Sequence, residues 1–169
     1  MFRKGIADFR HKRILLLQGP VGPFFRRLAR DLSKEGAWVV KVNFNGGDWL
    51  FSPRKSLNYR GRMEAWPAHL DALVNDLRIE MILLFGEARP IHREVYEIAH
   101  RRGVVVGVFE EGYIRPDYVT LEQCGVNGCS PIPRNSDFYR KRARNSSPDT
   151  IRVGKTFWYA ALWAILYYL

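Results

Sequence analysis

Four short apolar runs, each separated from the next by enough chain for a helix, constrain the fold of this sequence most. They are residues 13–18, 37–43, 79–85 and 103–109. Near-continuous apolar runs of this length are typical of parallel strands buried on both faces. The intervals repeat apolar residues at helical spacing, at residues 24–35, 63–77 and 92–102. The sequence therefore predicts an α/β fold: a Rossmann-like parallel sheet with helices on both faces.

Two stretches interrupt this alternation. Residues 43–59 form a long connection for such a crossover, and long connections in compact domains are commonly functional or disordered. After the fourth run, residues 110–133 are rich in Gly, Pro and Asn and show no regular pattern. We therefore assign residues 1–133 to one α/β domain, and residues 134–169 to a basic segment followed by an aromatic, apolar helix.

The charge of the chain is concentrated in one region. The 169 residues include 27 Lys and Arg against 17 Asp and Glu, a formal net charge of +10. The densest basic cluster consists of Arg140, Lys141, Arg142 and Arg144, and the uncharged run 156–169 follows shortly after it. This order favours contact with anionic phospholipid at a membrane surface. Nucleic acid is disfavoured as the partner because the nearby aromatic residues form no stacking platform for bases. Alternatively, the basic cluster is a solvated helical face that binds no ligand.

Cysteine and histidine usage predicts a cytoplasmic protein without a metal site. Cys124 and Cys129 form neither a disulfide framework nor a metal motif, and the four histidines do not cluster. His92 and His100 are expected on helix surfaces, and the alternative for His92 is contact with a substrate near the end of the third apolar run. The 14 uncharged residues at the end of the chain fall below the roughly 20 that span a bilayer. Because this run lacks helix-ending signals, we expect the chain to continue into a second domain. The alternative is a short protein whose last helix packs on its own core or on a second subunit.

The turns that follow the predicted strands carry glycine together with polar or charged residues. In open parallel sheets ligands bind beyond the carboxyl ends of the strands, so these turns predict a site. Its candidate residues are Gln18, Gly19, Asn45, Asp48, Glu110, Glu111 and Arg115. Adjacent carboxylates on a strand point in opposite directions, so one of the two Glu residues can face a cleft as nucleophile or general base. Arg115 suits a phosphate or carboxylate. Turns needed only for geometry, or a salt-bridged turn, would give the same pattern.

Three segments resemble the capsular polysaccharide biosynthesis proteins of the KpsS type: residues 18–25, 43–48 and 109–122. The resemblance implies the N-terminal, acceptor-side half of a GT-B-like glycosyltransferase, a β-Kdo transferase. It would need no cofactor and would move Kdo from CMP-Kdo to a (lyso)phosphatidylglycerol acceptor, starting the capsule linker. It also implies peripheral association with the inner membrane, possible contact with other capsule proteins, and no activity from this half alone.

The same resemblance implies roles for the site residues. Related enzymes carry Glu-Asp-Gly-Phe where this chain has Glu-Glu-Gly-Tyr, so Glu111 would be the catalytic carboxylate. Glu110 or Asp48 would orient it or the acceptor, while Gln18 and Gly19 would line the cleft. The alternative is a non-catalytic Rossmann-like module that binds nucleic acid or a protein partner, or serves as a scaffold.

Overall fold

One mixed sheet organises the computed structural model, which describes residues 5–112, 118–140 and 156–168. Its strands are β1 (Arg13–Leu16), β2 (Trp38–Asn43), β3 (Ser56–Asn58), β4 (Met81–Phe85), β5 (Val105–Glu111) and β6 (Val119–Gln123). They lie in the order β3-β2-β1-β4-β5-β6. The first five strands are parallel, and β6 pairs antiparallel with β5. The predicted Rossmann-like α/β fold is confirmed.

Helices connect these strands and flank the sheet. They are α1 (Phe24–Lys34), α2 (Gly46–Leu50), α3 (Trp66–Asp76), α4 (Val95–Arg102), α5 (Ser136–Arg140) and α6 (Thr156–Tyr168). Short 3₁₀ turns occur at Gly5–Phe9, Met63–Ala65, Pro90–His92 and Asn127–Cys129. The three predicted helices correspond to α1, α3 and α4, with their ends shifted by a few residues.

Alternation along the buried strands divides the core into two layers. Leu15, Ile82 and Val106 point to the side covered by α3 and α4. Their neighbours Ile14 and Leu83 point to the opposite side, which is covered by α1. Because both faces are covered, the central strands are apolar along their whole length.

Two connections contain regular structure that the sequence pattern did not indicate. Residues 43–59, expected to be a long loop, contain α2 and the edge strand β3. The irregular stretch after residue 110 contains β6, which adds an antiparallel edge to the sheet. β3 is largely exposed and β6 is mostly half-buried, so both edge strands lack the buried apolar run that marked the other four.

The aromatic helix α6 packs on the α/β domain at α2. Trp163 meets Phe51 edge-on, with ring centroids 5.4 Å apart. A Cβ atom on Gly47 would lie 2.5 Å from Cδ2 of Tyr167, so the two helices approach closely because residue 47 has no side chain.

Candidate active site

The carboxyl ends of β1, β2, β4 and β5 meet at one edge of the sheet, which we call the rim. Two contacts tie neighbouring turns together there. The Gly86 N–H donates to the Phe109 carbonyl at 2.8 Å, and Arg89 Nη1 donates to the Gly19 carbonyl at 3.0 Å. The turn after β4 is therefore hydrogen-bonded to the strand β5 on one side and to the turn after β1 on the other.

Three of the predicted substrate-binding residues come together at the rim around Asp48. Asp48 Oδ2 accepts hydrogen bonds from Gln18 Nε2 at 3.2 Å and from the Phe44 N–H at 3.1 Å. Asn45 caps α2, because its Oδ1 accepts the Asp48 N–H at 2.8 Å. The name Asp48 cluster is used for Gln18, Asn45 and Asp48 together with their partners Tyr167 and Lys41.

The hydroxyl of Tyr167, from α6, occupies the centre of the Asp48 cluster. It donates to Asp48 Oδ1 at 3.3 Å and accepts from Asn45 Nδ2 at 3.0 Å and Gln18 Nε2 at 3.2 Å. Burial is the main cause that raises the pKa of Tyr167, so the hydroxyl remains a donor at neutral pH. A space of only about 10 Å³ remains beside it, at the lower limit for one water molecule. The cluster is therefore closed in this structure.

Lys41, from strand β2, completes the Asp48 cluster. Its Nζ lies 3.5 Å from Asp48 Oδ1, and both side chains are 3% exposed. The ammonium also donates to Asn43 Oδ1 at 2.7 Å and to the Asp48 carbonyl at 3.2 Å. Burial lowers the pKa of Lys41, and the neighbouring Asp48 carboxylate opposes that shift. Lys41 is not among the residues predicted from the sequence, although a single Lys inside an apolar strand indicates a buried ion pair.

An open pocket of about 350 Å³ lies beside the Asp48 cluster. Its walls include Asn45, Asn58, Trp49, Tyr59 and Arg60. Amide groups and aromatic faces suit a hydroxylated ligand, and the exposed Arg60 adds a cation that suits a carboxylate or phosphate. The predicted substrate-binding residue Asn45 lines this pocket, whereas Asp48 does not.

The two adjacent carboxylates end β5 on opposite faces of the sheet. Glu110 is half-buried, and its carboxylate accepts the Glu111 N–H at 3.0 Å and Asn127 Nδ2 at 3.4 Å. Glu111 is exposed, and alternation places it on the face of Phe109, whose ring contacts Phe24 at the start of α1. Glu110 is thus held by the scaffold, and Glu111 presents the accessible carboxylate.

The sheet separates the Glu pair from the Asp48 cluster. Strands β1 and β4 lie between β2 and β5, so their ends are about 14 Å apart at the usual strand spacing. Of the two residues expected to orient Glu111, Glu110 contacts its backbone directly, whereas Asp48 follows β2, which is separated from β5 by β1 and β4. Gly112 follows the pair, and its N–H donates to the Tyr118 carbonyl at 2.7 Å, which joins β5 to β6.

His92 lies beneath the rim, and its expected place on a helix surface is wrong. It is fully buried in the 3₁₀ turn Pro90–His92, and Nδ1 lies 2.6 Å from the Gly86 carbonyl. A carbonyl only accepts, so Nδ1 carries the proton, and Nε2 has no hydrogen-bond partner among the described residues. Burial, assisted by the Arg89 cation, lowers the pKa of His92 to about 4. The imidazole is therefore neutral at pH 7.

Several predicted residues lie outside the described part of the chain: Arg115, Lys141, Arg142 and Arg144. Arg140 is described and is exposed at the end of α5, 3.4 Å from Asp137 Oδ1. Within residues 5–112, 118–140 and 156–168, no three His, Cys, Asp or Glu side chains are grouped so that they could hold a metal ion. Over the same ranges, no helix combines the length and apolarity that crossing a bilayer requires.

Comparison with known proteins matches the sequence of this chain to capsule polysaccharide proteins. The family model described as "Capsule polysaccharide biosynthesis protein" matches residues 80–169. The chain is 41% identical over 157 residues to the capsule polysaccharide export protein KpsS of Escherichia coli, covering 88% of this chain and 40% of that protein. It is 43% identical over 131 residues to the capsule polysaccharide modification protein LipB of Neisseria meningitidis serogroups A and B, covering 76% of this chain and 31% of each relative.

The chain therefore spans less than half the length of these relatives. Among solved structures, the MycE methyltransferase from the mycinamycin biosynthetic pathway matches with a TM-score of 0.44 and 13% sequence identity. That match covers 64% of this chain and 30% of the methyltransferase. A similarity this low carries no argument about function.

Proposed function

Because the chain belongs to the capsule polysaccharide biosynthesis family, we propose that it forms the acceptor-side part of a β-Kdo transferase. The reaction moves Kdo from CMP-Kdo to a hydroxyl of a (lyso)phosphatidylglycerol acceptor. The acceptor oxygen forms a bond to the anomeric carbon of Kdo, the bond from that carbon to the CMP phosphate breaks, and CMP leaves. The architecture proposed for the whole enzyme is GT-B-like, with the nucleotide bound chiefly by a second half.

The observation that carries the proposal is the accessible carboxylate of Glu111 at the carboxyl end of β5. A catalytic carboxylate must reach the substrate, and Glu111 is exposed at the rim whereas Glu110 is half-buried. Glu111 either takes the proton of the acceptor hydroxyl as a general base, or attacks the anomeric carbon as a nucleophile while CMP leaves. In the second case the acceptor oxygen then displaces the Glu111 carboxylate, and the acceptor proton passes to the released CMP phosphate or to water. Glu110 acts as a positioning residue, because it holds the backbone from which Glu111 projects.

The remaining rim residues bind substrate in this proposal. The pocket beside Asn45 and Asp48 offers amide groups and an exposed tryptophan to a polyhydroxylated ligand. Gln18 and Gly19 line the cleft between the two halves, and Arg115 binds the sugar carboxylate or a phosphate. No cofactor takes part, because CMP-Kdo already carries the activated sugar.

Attachment to the inner membrane surface brings the enzyme to its lipid acceptor. Arg140 and the three basic residues after it contact lipid phosphates in this proposal, and the exposed aromatic helix lies at the interface. Partners are anionic phospholipid and other capsule biosynthesis or export proteins, rather than nucleic acid.

Glu111→Gln in the full-length protein tests the catalytic assignment. General acid–base groups contribute roughly 10²–10⁴-fold to rate, so we expect kcat for Kdo transfer to fall at least 100-fold. Product formation from CMP-Kdo and lysophosphatidylglycerol is measured by mass spectrometry, and circular dichroism confirms folding. Glu64→Gln, which removes an exposed carboxylate elsewhere, is the matched control and should retain wild-type turnover. Transfer by Glu111→Gln at the wild-type rate would remove Glu111 from the mechanism.

A further inference from the structure

A groove of about 930 Å³ beside α1 is lined by positive charge and is separate from the rim residues discussed above. Its cations come from two elements: Arg26, Arg27 and Arg30 on α1, and Arg54 and Lys55 just before β3. Buried Ala29 and Val39 form part of an apolar floor. None of its lining residues is an Asp or a Glu.

The fold explains why these cations share one groove. Phe25, Ala29 and Leu32 bury one side of α1 against the sheet, so the arginines between them are left on its exposed flank. The chain then returns to the same side at β3, which brings Arg54 and Lys55 opposite the helix.

The charges in the groove are only partly compensated. Arg30 pairs with Asp31 at 3.0 Å, and Lys55 lies 5.4 Å from the ring centroid of Trp38. Among the described residues, no carboxylate lies within ion-pair distance of Arg26, Arg27 or Arg54. Closely spaced like charges repel one another, and an anion bound between them relieves that repulsion.

An exposed apolar stripe borders the groove on α6. Trp163 lines the groove from the side of α6 that packs on α2. Trp158, Leu162 and Ile165 follow helical spacing on another side and are 72%, 46% and 59% exposed. Around α6, the exposed side chains of Tyr159 and Leu166 lie between the stripe and Trp163, so exposed apolar surface continues from the stripe to the edge of the groove.

We propose that the α1 groove and the α6 stripe together form a docking surface for an anionic phospholipid bilayer. Lipid phosphates occupy the groove between the α1 arginines and Arg54, and the exposed side chains of α6 enter the interfacial layer. Cations beside an apolar aromatic helix suit a lipid surface, whereas nucleic acid would leave the stripe uncovered. The inference extends the membrane contact of the proposed function to a second basic site, away from residues 140–144.

Vesicle flotation with the full-length protein tests the docking surface. The vesicles contain phosphatidylcholine with 30% phosphatidylglycerol, and pure phosphatidylcholine vesicles serve as the neutral reference. Each basic residue near an anionic surface contributes roughly fivefold to partitioning. We therefore expect Arg26→Gln/Arg27→Gln/Arg54→Gln to lower the partition coefficient about 100-fold on anionic vesicles and to change little on neutral ones.

Matched variants separate the groove from net charge and from folding. Arg62→Gln/Arg78→Gln/Arg93→Gln removes the same charge from exposed positions outside the groove, and a loss below about tenfold is expected. Replacing the three groove arginines with Lys keeps the charge and should retain most of the binding. Leu162→Ser/Ile165→Ser should weaken binding about tenfold, because the apolar side chains no longer enter the interface.

Three outcomes would overturn the proposal. The first is wild-type binding by the groove variant, and the second is an equal loss in the control. The third is displacement from vesicles by inorganic phosphate beyond that caused by chloride at the same ionic strength, which indicates a site for a soluble anion. Because flotation needs no turnover, groove-dependent binding stands even if Glu111→Gln disproves the transferase assignment. Likewise, a failure of the groove variants to lose binding leaves the transferase assignment untouched.

Discussion

Asp48→Asn tests whether the buried ion pair with Lys41 stabilises the rim. Both side chains are 3% exposed, and Asp48 Oδ1 lies 3.5 Å from the ammonium. Removing one member of a buried pair leaves the other charge uncompensated, which costs about 3–5 kcal/mol. Asn keeps the shape of the side chain, and Lys41 keeps its bonds to Asn43 and to the backbone at residue 48. We therefore expect the lower end, a loss of about 3 kcal/mol in the free energy of unfolding.

Urea denaturation followed by circular dichroism measures this loss, and a double-mutant cycle isolates the pair. Lys41→Met alone also leaves one buried charge, whereas Lys41→Met/Asp48→Asn removes both. We expect the double variant to lose less than the sum of the single variants, with a coupling of about 2–3 kcal/mol. Additive losses, or a loss below about 1 kcal/mol for Asp48→Asn, would refute the ion pair as a source of stability.

The pH dependence of the same variant gives an independent check. Burial already lowers the pKa of Lys41 from 10.5, and loss of the Asp48 carboxylate lowers it further. Between the lowered folded-state pKa of Lys41 and its ordinary value of 10.5, the unfolded chain binds more protons than the folded chain, so stability rises with pH in that window. Because the folded-state pKa of Lys41 is lower in Asp48→Asn than in the unchanged protein, the deficit of the variant shrinks as the pH rises from the first of these two pKa values to the second.

Two further predictions concern α6 and the buried imidazole. Gly47→Ala places a Cβ atom against Tyr167 and should undock α6, so we expect faster amide hydrogen exchange in α6. The control is Gly46→Ala, because a Cβ atom there meets nothing within 4 Å. Equal exchange rates in the two variants would contradict the packing. The pKa of His92 is about 4 in the folded chain, against an ordinary value of 6.5. As the pH falls, the unfolded chain is therefore protonated at His92 before the folded chain, and about 3 kcal/mol of the free energy of unfolding is lost between pH 6.5 and 4. His92→Gln should lack this loss in urea titrations, and an unchanged pH profile would show that His92 is not its source.

The sequence predicted the elements whose burial leaves a local pattern. β4 and β5 are apolar along nearly their whole length because both faces of the sheet are covered, and α1 shows its buried side as a helical repeat. β3 and β6 are edge strands with exposed residues, so burial imposes no comparable pattern on them. Their pairing depends on neighbours that are distant in the sequence.

The site was predictable as a set of turns but not as a set of contacts. Strand order places Gln18 and Asp48 at the same edge, which the parallel sheet already implied. The pairing of Lys41 with Asp48 required α2 to fold back over the end of β2, and the central position of Tyr167 required α6 to pack on α2. Neither helix contact is encoded in a local repeat, so neither could be predicted from spacing.

The backbones of Gly112 and Tyr118 approach closely at their hydrogen bond, and this approach requires a glycine in the Glu-Glu-Gly sequence. A Cβ atom at residue 112 would lie 2.6 Å from the Tyr118 carbonyl oxygen, so any larger residue would push the two chains apart. That separation would occur one residue beyond Glu111 and would change the direction in which its carboxylate projects. The three residues therefore act as one unit, in which the absence of a side chain sets the geometry of the acid before it.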